Sequence, residues 1–458
     1  MPTLTSRRHF LNQTTLALSG FAVGGSSARS ATAPAPSTKS SHRFTLAVVG
    51  CGGRGRAVMK NLLTSGATLV ALCDVDPAQI ELAQADALKV GGELTTGAKT
   101  YRDYRQLIDH AAQYDGVLIA TPDHWHAPLC RAFMQRGKHI FCEKPLTHRI
   151  SEARELRELA RHSKVITQMG NQGSASVSLR RSVELIQAGA VGQIRDIYHW
   201  GVGVAAQEGR APGADPVPAG FDWDMWLGPA ESRPYQKEVY HPFKWRDWFD
   251  FGNGGLADIC CHAMNLPVRA LQLDYPTRIE VAGVNEAPLS DQASVTFRFA
   301  ARGRLQPVAL HWLGKNQPPP DVLAPLVSVY QDKVPNGLMI VGDEGRIYTS
   351  HWNTNGLIQL AGEPRLTDIN RHAATKEIPT TLPRTPSHEQ EWISACLGEG
   401  PTFSPFETGG KLTEIGLAGI LALRARKNLD WDGEKMHAPN APEVQKFIRA
   451  TSRPQWRV

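Results

Sequence analysis

Between residues 44 and 170 the chain alternates short continuous apolar runs with longer amphipathic segments. Apolar runs at residues 46–49 and 69–73 predict strands that are buried on both faces. Three more strands are predicted at residues 115–121, 138–142 and 165–169, and two helices at residues 78–90 and 126–137. Regular alternation of strand and helix is typical of an α/β domain built on a parallel sheet.

The second half of the chain carries apolar or alternating stretches with fewer helical patterns between them. Strands are predicted at residues 195–198, 277–284, 293–299, 308–312 and 337–341. Helices are predicted at residues 180–187, 389–397 and 411–427.

A glycine-rich loop follows the first predicted strand. Gly50, Gly52 and Gly55 have G-x-G-x-x-G spacing, with Gly53 and Arg54 between them, and the loop opens a predicted helix. Such glycines permit a tight turn, close approach of a pyrophosphate and close helix packing. The helix start offers free N–H groups to phosphates. Strand, glycines and helix in this order predict a Rossmann dinucleotide-binding domain rather than another glycine-rich turn.

The second strand of this unit ends in an acid, Asp74, which comes 19 residues after Gly55. A Rossmann unit places at this point the carboxylate that accepts hydrogen bonds from the adenosine ribose. Asp74 favours NAD over NADP, because it would repel a 2′-phosphate, although Arg54 and Arg56 nearby weaken that preference.

Polar residues also follow the later strands, and ligands of open α/β sheets bind beyond the carboxyl ends of the strands. We therefore expect the segments at residues 121–126, 143–145 and 170–172 to meet the glycine loop. The residues of these segments that we expect to contact the cofactor are Thr121, Pro122, Asp123, His124, His126, Glu143, Lys144 and Asn171.

The first 36 residues have the features of an export signal. Ser6, Arg7, Arg8, His9, Phe10 and Leu11 form a twin-arginine pattern, followed by a weakly apolar run and small residues. We expect a Tat signal at residues 1–36 and a linker at residues 37–43, with the Tat machinery as partner and the periplasm as destination. The apolar run is too short for a stable membrane span. The alternative is a disordered tail with a chance arginine pair.

Export through the Tat route implies folding around the cofactor in the cytoplasm. Because the periplasm has no pool of free nicotinamide nucleotide, we expect the cofactor to be tightly held and recycled within the site. The seven cysteines show no C-x-x-C or metal spacing, which favours reduced thiols. A net charge of +6, part of it in the signal region, gives no reason to expect a nucleic-acid partner.

Several motifs together resemble the glucose–fructose oxidoreductase/inositol dehydrogenase (Gfo/Idh/MocA) family. They are the glycine loop with Asp74, T-P-D-H-W-H at 121–126, C-E-K-P-L at 142–146, W-D-M-W-L-G-P at 223–229, Y-H-P-F-K-W-R at 240–246, residues 254–262, and G-D-E-G at 342–345. The resemblance implies a Rossmann domain at residues 44–170, a C-terminal α+β domain at 171–440 with a large, open, mainly antiparallel sheet, and a tail at 441–458. Family members often use that sheet for oligomer contacts, so we expect a homo-oligomer.

Hydride transfer from a sugar carbinol needs a group that accepts the hydroxyl proton. Asp258 and His262 lie four residues apart in a predicted helix at residues 256–268, so both face one side. In the resembled family the matching lysine, aspartate and histidine line the substrate site. We expect His262 to be the principal base, with Lys144 orienting the hydroxyl or acting as acid. The alternatives are that Lys144 is only a surface lysine and that Asp258 and His262 are only a local pair on the helix.

Where family members often carry an aspartate three residues after the histidine, this chain has Asn265. A neutral amide supplies no charge to the histidine, so its base strength or the choice of sugar is expected to differ.

An aromatic-rich loop precedes the predicted catalytic helix. Tyr240, His241, Trp245 and Arg246 suit the faces and hydroxyls of a pyranose, so we expect them to bind substrate; the alternative is that they pack the domain junction. Asp258, His262 and His241 lack fixed ligand spacing, so no metal is expected.

The sequence thus favours an exported NAD-dependent oxidoreductase acting on a sugar, glycoside or cyclitol hydroxyl. An NAD-dependent, redox-assisted glycoside hydrolase or lyase remains an alternative, although the Tyr-Pro-Thr-His pattern of N-acetylgalactosaminidases is absent. A non-catalytic binding protein is disfavoured by the retained Lys144, Asp258 and His262.

Overall fold

The computed structural model describes residues 42–95, 97–204, 206–285, 289–449 and 452–456. The expected Tat signal at residues 1–36 and most of the linker at 37–43 lie outside the described residues. Among the described residues, no helix has the length and apolar character needed to cross a membrane.

The first half of the described chain folds around a six-stranded sheet. Its strands run in the order β3-β2-β1-β4-β5-β6, and every pairing between them is parallel. The elements are β1 (Thr45–Val49), α1 (Gly53–Thr64), β2 (Thr68–Cys73), α2 (Pro77–Gly91), β3 (Lys99–Tyr101), α3 (Tyr104–Asp109), β4 (Gly116–Ile119), α4 (His126–Met134), β5 (His139–Cys142), α5 (Ile150–His162) and β6 (Thr167–Met169). The predicted Rossmann-type sheet is confirmed. Strand order reverses between β1 and β4, which is where such sheets bind ligands.

The second half folds around a nine-stranded sheet in the order β14-β13-β12-β11-β7-β10-β9-β8-β15. Its elements are α6 (Val177–Gln187), β7 (Ile194–Trp200), α7 (Trp223–Leu227), α8 (Gly254–Ala263), α9 (Asn265–Ala270), β8 (Arg278–Ala282), β9 (Ser294–Phe299), β10 (Val308–Trp312), α10 (Pro320–Tyr330), β11 (Gly337–Gly342), β12 (Gly345–Thr349), β13 (Leu357–Leu360), β14 (Thr367–Asp368), α11 (Ala373–Glu377), α12 (His388–Cys396), α13 (Phe406–Ala425), β15 (Leu429–Asp430) and α14 (Gln445–Ile448). β7 and β10 pair in parallel, while the other registered pairs are antiparallel. The expected large, mainly antiparallel sheet is therefore confirmed.

The helix predicted at residues 256–268 is wrong in its extent, because two helices, α8 and α9, meet at Met264. Pro267 lies just beyond this point and has no N–H to continue the ladder of hydrogen bonds. Asp258 and His262 both remain within α8.

Elements from the end of the chain complete the core of the first sheet. Trp392 of α12 is fully buried, and its ring packs edge-on at 5.0 Å from Phe44 and 5.6 Å from Phe141. The segment predicted as a C-terminal tail is also packed, since Val444, Ile448 and Trp456 are buried. Both halves therefore belong to one compact unit, residues 42–458.

Replacing Trp392 by Ala should lower the free energy of unfolding by about 3–5 kcal/mol, because it empties a large buried volume in a core shared by two distant segments. Denaturant titration of the purified protein measures this change. Leu88→Ala is the matched control, since Leu88 lies on α2 with 57% of its surface exposed and its truncation should alter stability by less than about 0.5 kcal/mol. Equal losses in the two variants would contradict the packing assigned to Trp392.

Candidate active site

A cleft of about 540 Å³ lies beyond the carboxyl ends of β1, β2, β4 and β5. Residues of the first half, including Gly50, Asp74 and Lys144, form one side of it. Residues of the second half, including Trp245 and His262, form the other. The cleft thus joins the predicted cofactor loop to the predicted catalytic residues.

The glycine loop has the geometry that a pyrophosphate site requires. Gly50 has φ +89°, and a Cβ there would lie 2.6 Å from the Ala120 carbonyl carbon. A Cβ on Gly55 would lie 1.9 Å from the Gly50 oxygen, so this glycine permits the close approach of α1 to the loop. Around Gly53, in contrast, the space is open, and α1 begins there without a side-chain cap. Free helix N–H groups beside open space fit a phosphate-bearing cofactor.

Asp74 directly follows β2, at the position where a Rossmann domain binds the adenosine ribose. Its carboxylate accepts hydrogen bonds from the backbone N–H groups of Cys51 at 2.7 Å and Asp76 at 2.9 Å. Burial raises the pKa of Asp74 to about 6. The carboxyl group is therefore charged at neutral pH and becomes protonated in mild acid.

Arg54 and Glu143 connect the glycine loop to the end of β5. Arg54 Nε donates to Glu143 Oε1 at 2.8 Å, and Arg54 Nη2 donates to Gln172 at 3.2 Å. Burial raises the pKa of Glu143, although the charge of Arg54 opposes that shift. This pair lies between the pyrophosphate loop and Lys144, where a nicotinamide ribose is expected.

Lys144 makes direct contact with α8. Its Nζ donates to the Asp258 carboxylate at 2.6 Å and to the Asp258 backbone oxygen at 3.0 Å. Arg246 Nε lies 4.0 Å from the same carboxylate. The three charged groups form a compact, partly buried cluster on the wall of the cleft.

His262 lines the cleft with an imidazole that is 99% buried. Neither ring nitrogen has a hydrogen-bond partner within the described part of the chain. Burial, with the charges of Lys144 and Arg54, holds its pKa well below the usual range, so the ring is neutral. A neutral imidazole with unpartnered nitrogens at the wall of a cleft is suited to accept a proton from a bound hydroxyl.

The Asp258 carboxylate accepts a hydrogen bond from Lys144, and no hydrogen bond joins it to the His262 ring in the described part of the chain. The loop after β12 fixes the histidine. Asn353 Nδ2 donates to the His262 backbone oxygen at 2.7 Å, and the Trp352 ring stands edge-on at 4.4 Å from the imidazole. Trp352 lines the cleft, yet no motif around it could have identified it.

The segment at residues 121–126 divides between the cleft and the interior. Thr121, Pro122, Asp123 and His126 line the cleft, whereas His124 does not, and the buried Thr121 hydroxyl has no partner among the described residues. Burial and the charge of Asp258 raise the pKa of Asp123 well above its usual value. His126 joins two loops, with its nitrogens 2.8 Å from the Pro145 oxygen and 2.9 Å from the Thr121 oxygen.

Three residues expected to contact ligands make internal contacts instead: His124, Asn171 and Tyr240. His124 bonds the Trp226 oxygen at 3.1 Å, and its pKa is lowered to about 4 by burial. Asn171 is fully buried between Cys261 and Ser404, which occupy its amide. The Tyr240 hydroxyl accepts the N–H of Ala211 at 3.0 Å, while its ring is buried among aromatic side chains. None of the three lines the cleft.

The other members of the predicted substrate loop do line the cleft, at different places. His241 lies near the ribose position, with Nε2 2.8 Å from the Asp76 carboxylate. Arg246 lies near Asp258, with its guanidinium 4.1 Å from the Trp245 ring and 4.3 Å from the Phe243 ring. The loop therefore spans the cleft from the ribose position to the catalytic residues.

Asn265 faces away from His262. Its amide donates to Ser174 at 2.9 Å and accepts from Arg269 at 2.6 Å, so it supports the packing of α9. Within the described residues, no three His, Cys, Asp or Glu side chains are grouped so that they could hold a metal ion.

Comparison with known proteins agrees with this geometry. Residues 44–171 match a family model described as an oxidoreductase family with an NAD-binding Rossmann fold, and residues 195–300 match its C-terminal alpha/beta domain. The chain is 31% identical over 191 residues to the rhizopine catabolism protein MocA of Rhizobium meliloti (40% of this chain, 57% of the relative). It is 31% identical over 160 residues to a glycosyl hydrolase family 109 protein of Solibacter usitatus (33% of this chain, 35% of the relative).

Among solved structures, a levoglucosan dehydrogenase in complex with NADH and levoglucosan has a similar fold. The TM-score is 0.56 at 17% identity, over 85% of this chain and 99% of that one.

Affinity for NAD should fall by about tenfold between pH 7 and pH 5, because protonation of Asp74 removes the charged acceptor for the ribose hydroxyls. A raised pKa means that the charged form is lost as the pH falls through about 6. Titration of NADH fluorescence at several pH values measures the effect. Asp74→Asn should bind weakly with little dependence on pH.

Asp430→Asn is the control for this titration. Asp430 lies on β15, outside the residues that line the cleft, and it pairs with Arg278 of β8. It should keep the wild-type profile. The same pH dependence in Asp74→Asn as in the wild type would assign the titration to another group.

Proposed function

The chain belongs to the Gfo/Idh/MocA family of oxidoreductases, and from that premise we propose that it is an NAD-dependent enzyme acting on a hydroxyl of a sugar, glycoside or cyclitol. The proposal rests on the protonation state and hydrogen bonding of His262. A neutral, buried imidazole with two free nitrogens lines the same cleft as the glycine loop and Lys144.

The residues of the cleft divide the chemistry between them. NAD, when bound, supplies the acceptor for the hydride. His262 takes the proton of the substrate hydroxyl at a free ring nitrogen. Lys144, held by Asp258, donates a hydrogen bond to the same oxygen and stabilises negative charge as it develops. Trp352 and Trp245 give the cleft two aromatic walls of the kind that pack against sugar rings.

The cellular setting is part of the proposal. The twin-arginine pattern at Arg7 and Arg8 supports export by the Tat machinery to the periplasm. An exported enzyme without a pool of free NAD must keep its cofactor and return it to its starting state in each cycle. The large sheet of the second half supports assembly as a homo-oligomer.

A second function has one specific observation in its favour. The relative from Solibacter usitatus bears the name of a glycosyl hydrolase family. A redox-assisted hydrolase would oxidise a sugar transiently, release the group attached to it, and then reduce the sugar again. The same His262 and Lys144 would serve both reactions.

One experiment separates the two functions. The folded protein is purified without added nucleotide, denatured, and its released cofactor identified, while native protein is incubated with a panel of glycosides and cyclitols. Released NAD with a keto-sugar, or redox exchange between two sugars, supports the oxidoreductase. Released NAD with free aglycone and no net NADH supports the hydrolase. Absence of bound nucleotide, with no affinity for added NAD, would contradict both.

His262→Ala should lower turnover by about 10²–10⁴-fold because the proton acceptor is lost, while NAD stays bound. Steady-state kinetics and the bound nucleotide content measure the two properties together. Cys260→Ala is the control, since Cys260 lies on the same helix but outside the cleft, and it should keep its activity. Unchanged turnover in His262→Ala would remove its assigned role.

A further inference from the structure

The ribose end of the cleft is enclosed by both halves of the chain. Asp74, Gln79 and Arg102 line it from the first half, and Trp226 and His241 from the second. The second half therefore forms part of the wall at the position expected for the nucleotide.

Residues 241–246, which we name the covering loop, lie along the cleft. His241, Pro242, Phe243, Trp245 and Arg246 all contribute to its wall. The loop is exposed on its outer side, where 66% of the Phe243 surface is accessible. It is thus a thin layer between the cleft and the solvent.

One hydrogen bond joins the covering loop to the first half among the residues that the structure describes. His241 Nε2 bonds the Asp76 carboxylate at 2.8 Å. In the described portion of the chain, it is the one hydrogen bond between these loop residues and the first half. Hydrogen bonding to His241 lowers the pKa of Asp76, so the carboxylate is charged.

Both partners of this contact are held in place by their neighbours. Asp76 caps α2 by accepting the N–H of Ala78 at 3.0 Å. The His241 ring packs against Phe221 at 4.8 Å, and Phe221 belongs to a buried aromatic cluster. Each partner is therefore positioned before they meet, which lowers the entropic cost of closing the loop.

We propose that His241 is a cofactor-retaining residue, which through Asp76 fastens the covering loop over the ribose end of the cleft. The dinucleotide then leaves only after the His241–Asp76 bond opens. The inference rests on the proposed function in one respect, namely that the cleft holds NAD. It assigns to His241 a role in cofactor retention instead of the substrate contact expected from the sequence.

The test is the rate at which bound NADH leaves the protein, followed by its fluorescence after addition of excess NAD. His241→Ala should release NADH about tenfold faster than the wild type, since a hydrogen bond to a charged group is lost. His241→Gln, which restores a donor of similar reach, should recover most of the slow release. His311→Ala is the matched control, because His311 bonds Asp196 at 3.0 Å in the nine-stranded sheet, and it should release NADH at the wild-type rate.

A double-mutant cycle isolates the contact itself. Asp76→Ser keeps a side chain that caps α2 but cannot reach His241. The effects of His241→Ala and Asp76→Ser on the release rate should not add in the double variant, because each removes the same bond. Additive effects would overturn the proposal.

The remaining outcomes also decide the matter. Release from His241→Ala and His241→Gln at the wild-type rate would overturn the inference and leave the proposed function intact. Equal acceleration in His311→Ala would overturn it too, since the effect would then be general destabilisation. A wild-type protein that binds no NADH would overturn both the inference and the proposed function.

Discussion

The contact between the Lys144 ammonium and the Asp258 carboxylate joins the two halves of the site. Lys144 stands at the end of β5 and Asp258 on α8, and the pair is partly buried. A partly buried ammonium group is stabilised by such a partner, because the carboxylate replaces hydrogen bonds that water would otherwise supply. The approach of α8 to the first sheet is thereby constrained, and it carries His262 into the cleft.

The same pair separates the roles of the titratable groups. Lys144 donates a hydrogen bond to Asp258. Its positive charge also lowers the pKa of His262, because it disfavours a second positive charge nearby. The imidazole stays neutral and free, since no carboxylate within the described chain bonds it. One arrangement of charges thus leaves Lys144 able to donate a hydrogen bond and His262 able to accept a proton.

The sequence was most informative where the relevant structure is local. Buried strands, the glycine loop and Asp74 depend on neighbouring residues, and the structure has all of them in the expected order. The spacing of residues in the sequence does not determine the direction of a side chain within a loop. For this reason the sequence placed His124 and Asn171 in the cleft, whereas both lie in the interior. Trp352 and Trp392 depend on contacts between residues distant in the chain, for which one sequence carries no signal.

Under the proposed function, the charge of the site stays constant through the reaction. NAD, if bound, would lose its positive charge on accepting the hydride, while His262 would gain one positive charge with the proton. A cationic nicotinamide would add to the effect of Lys144 and Arg54, which lower the pKa of His262, so the protonated imidazole would be disfavoured less once that cation is neutral. Such a site would build up no net charge in either direction. This property suits an enzyme that oxidises and reduces in alternation around a cofactor it does not release.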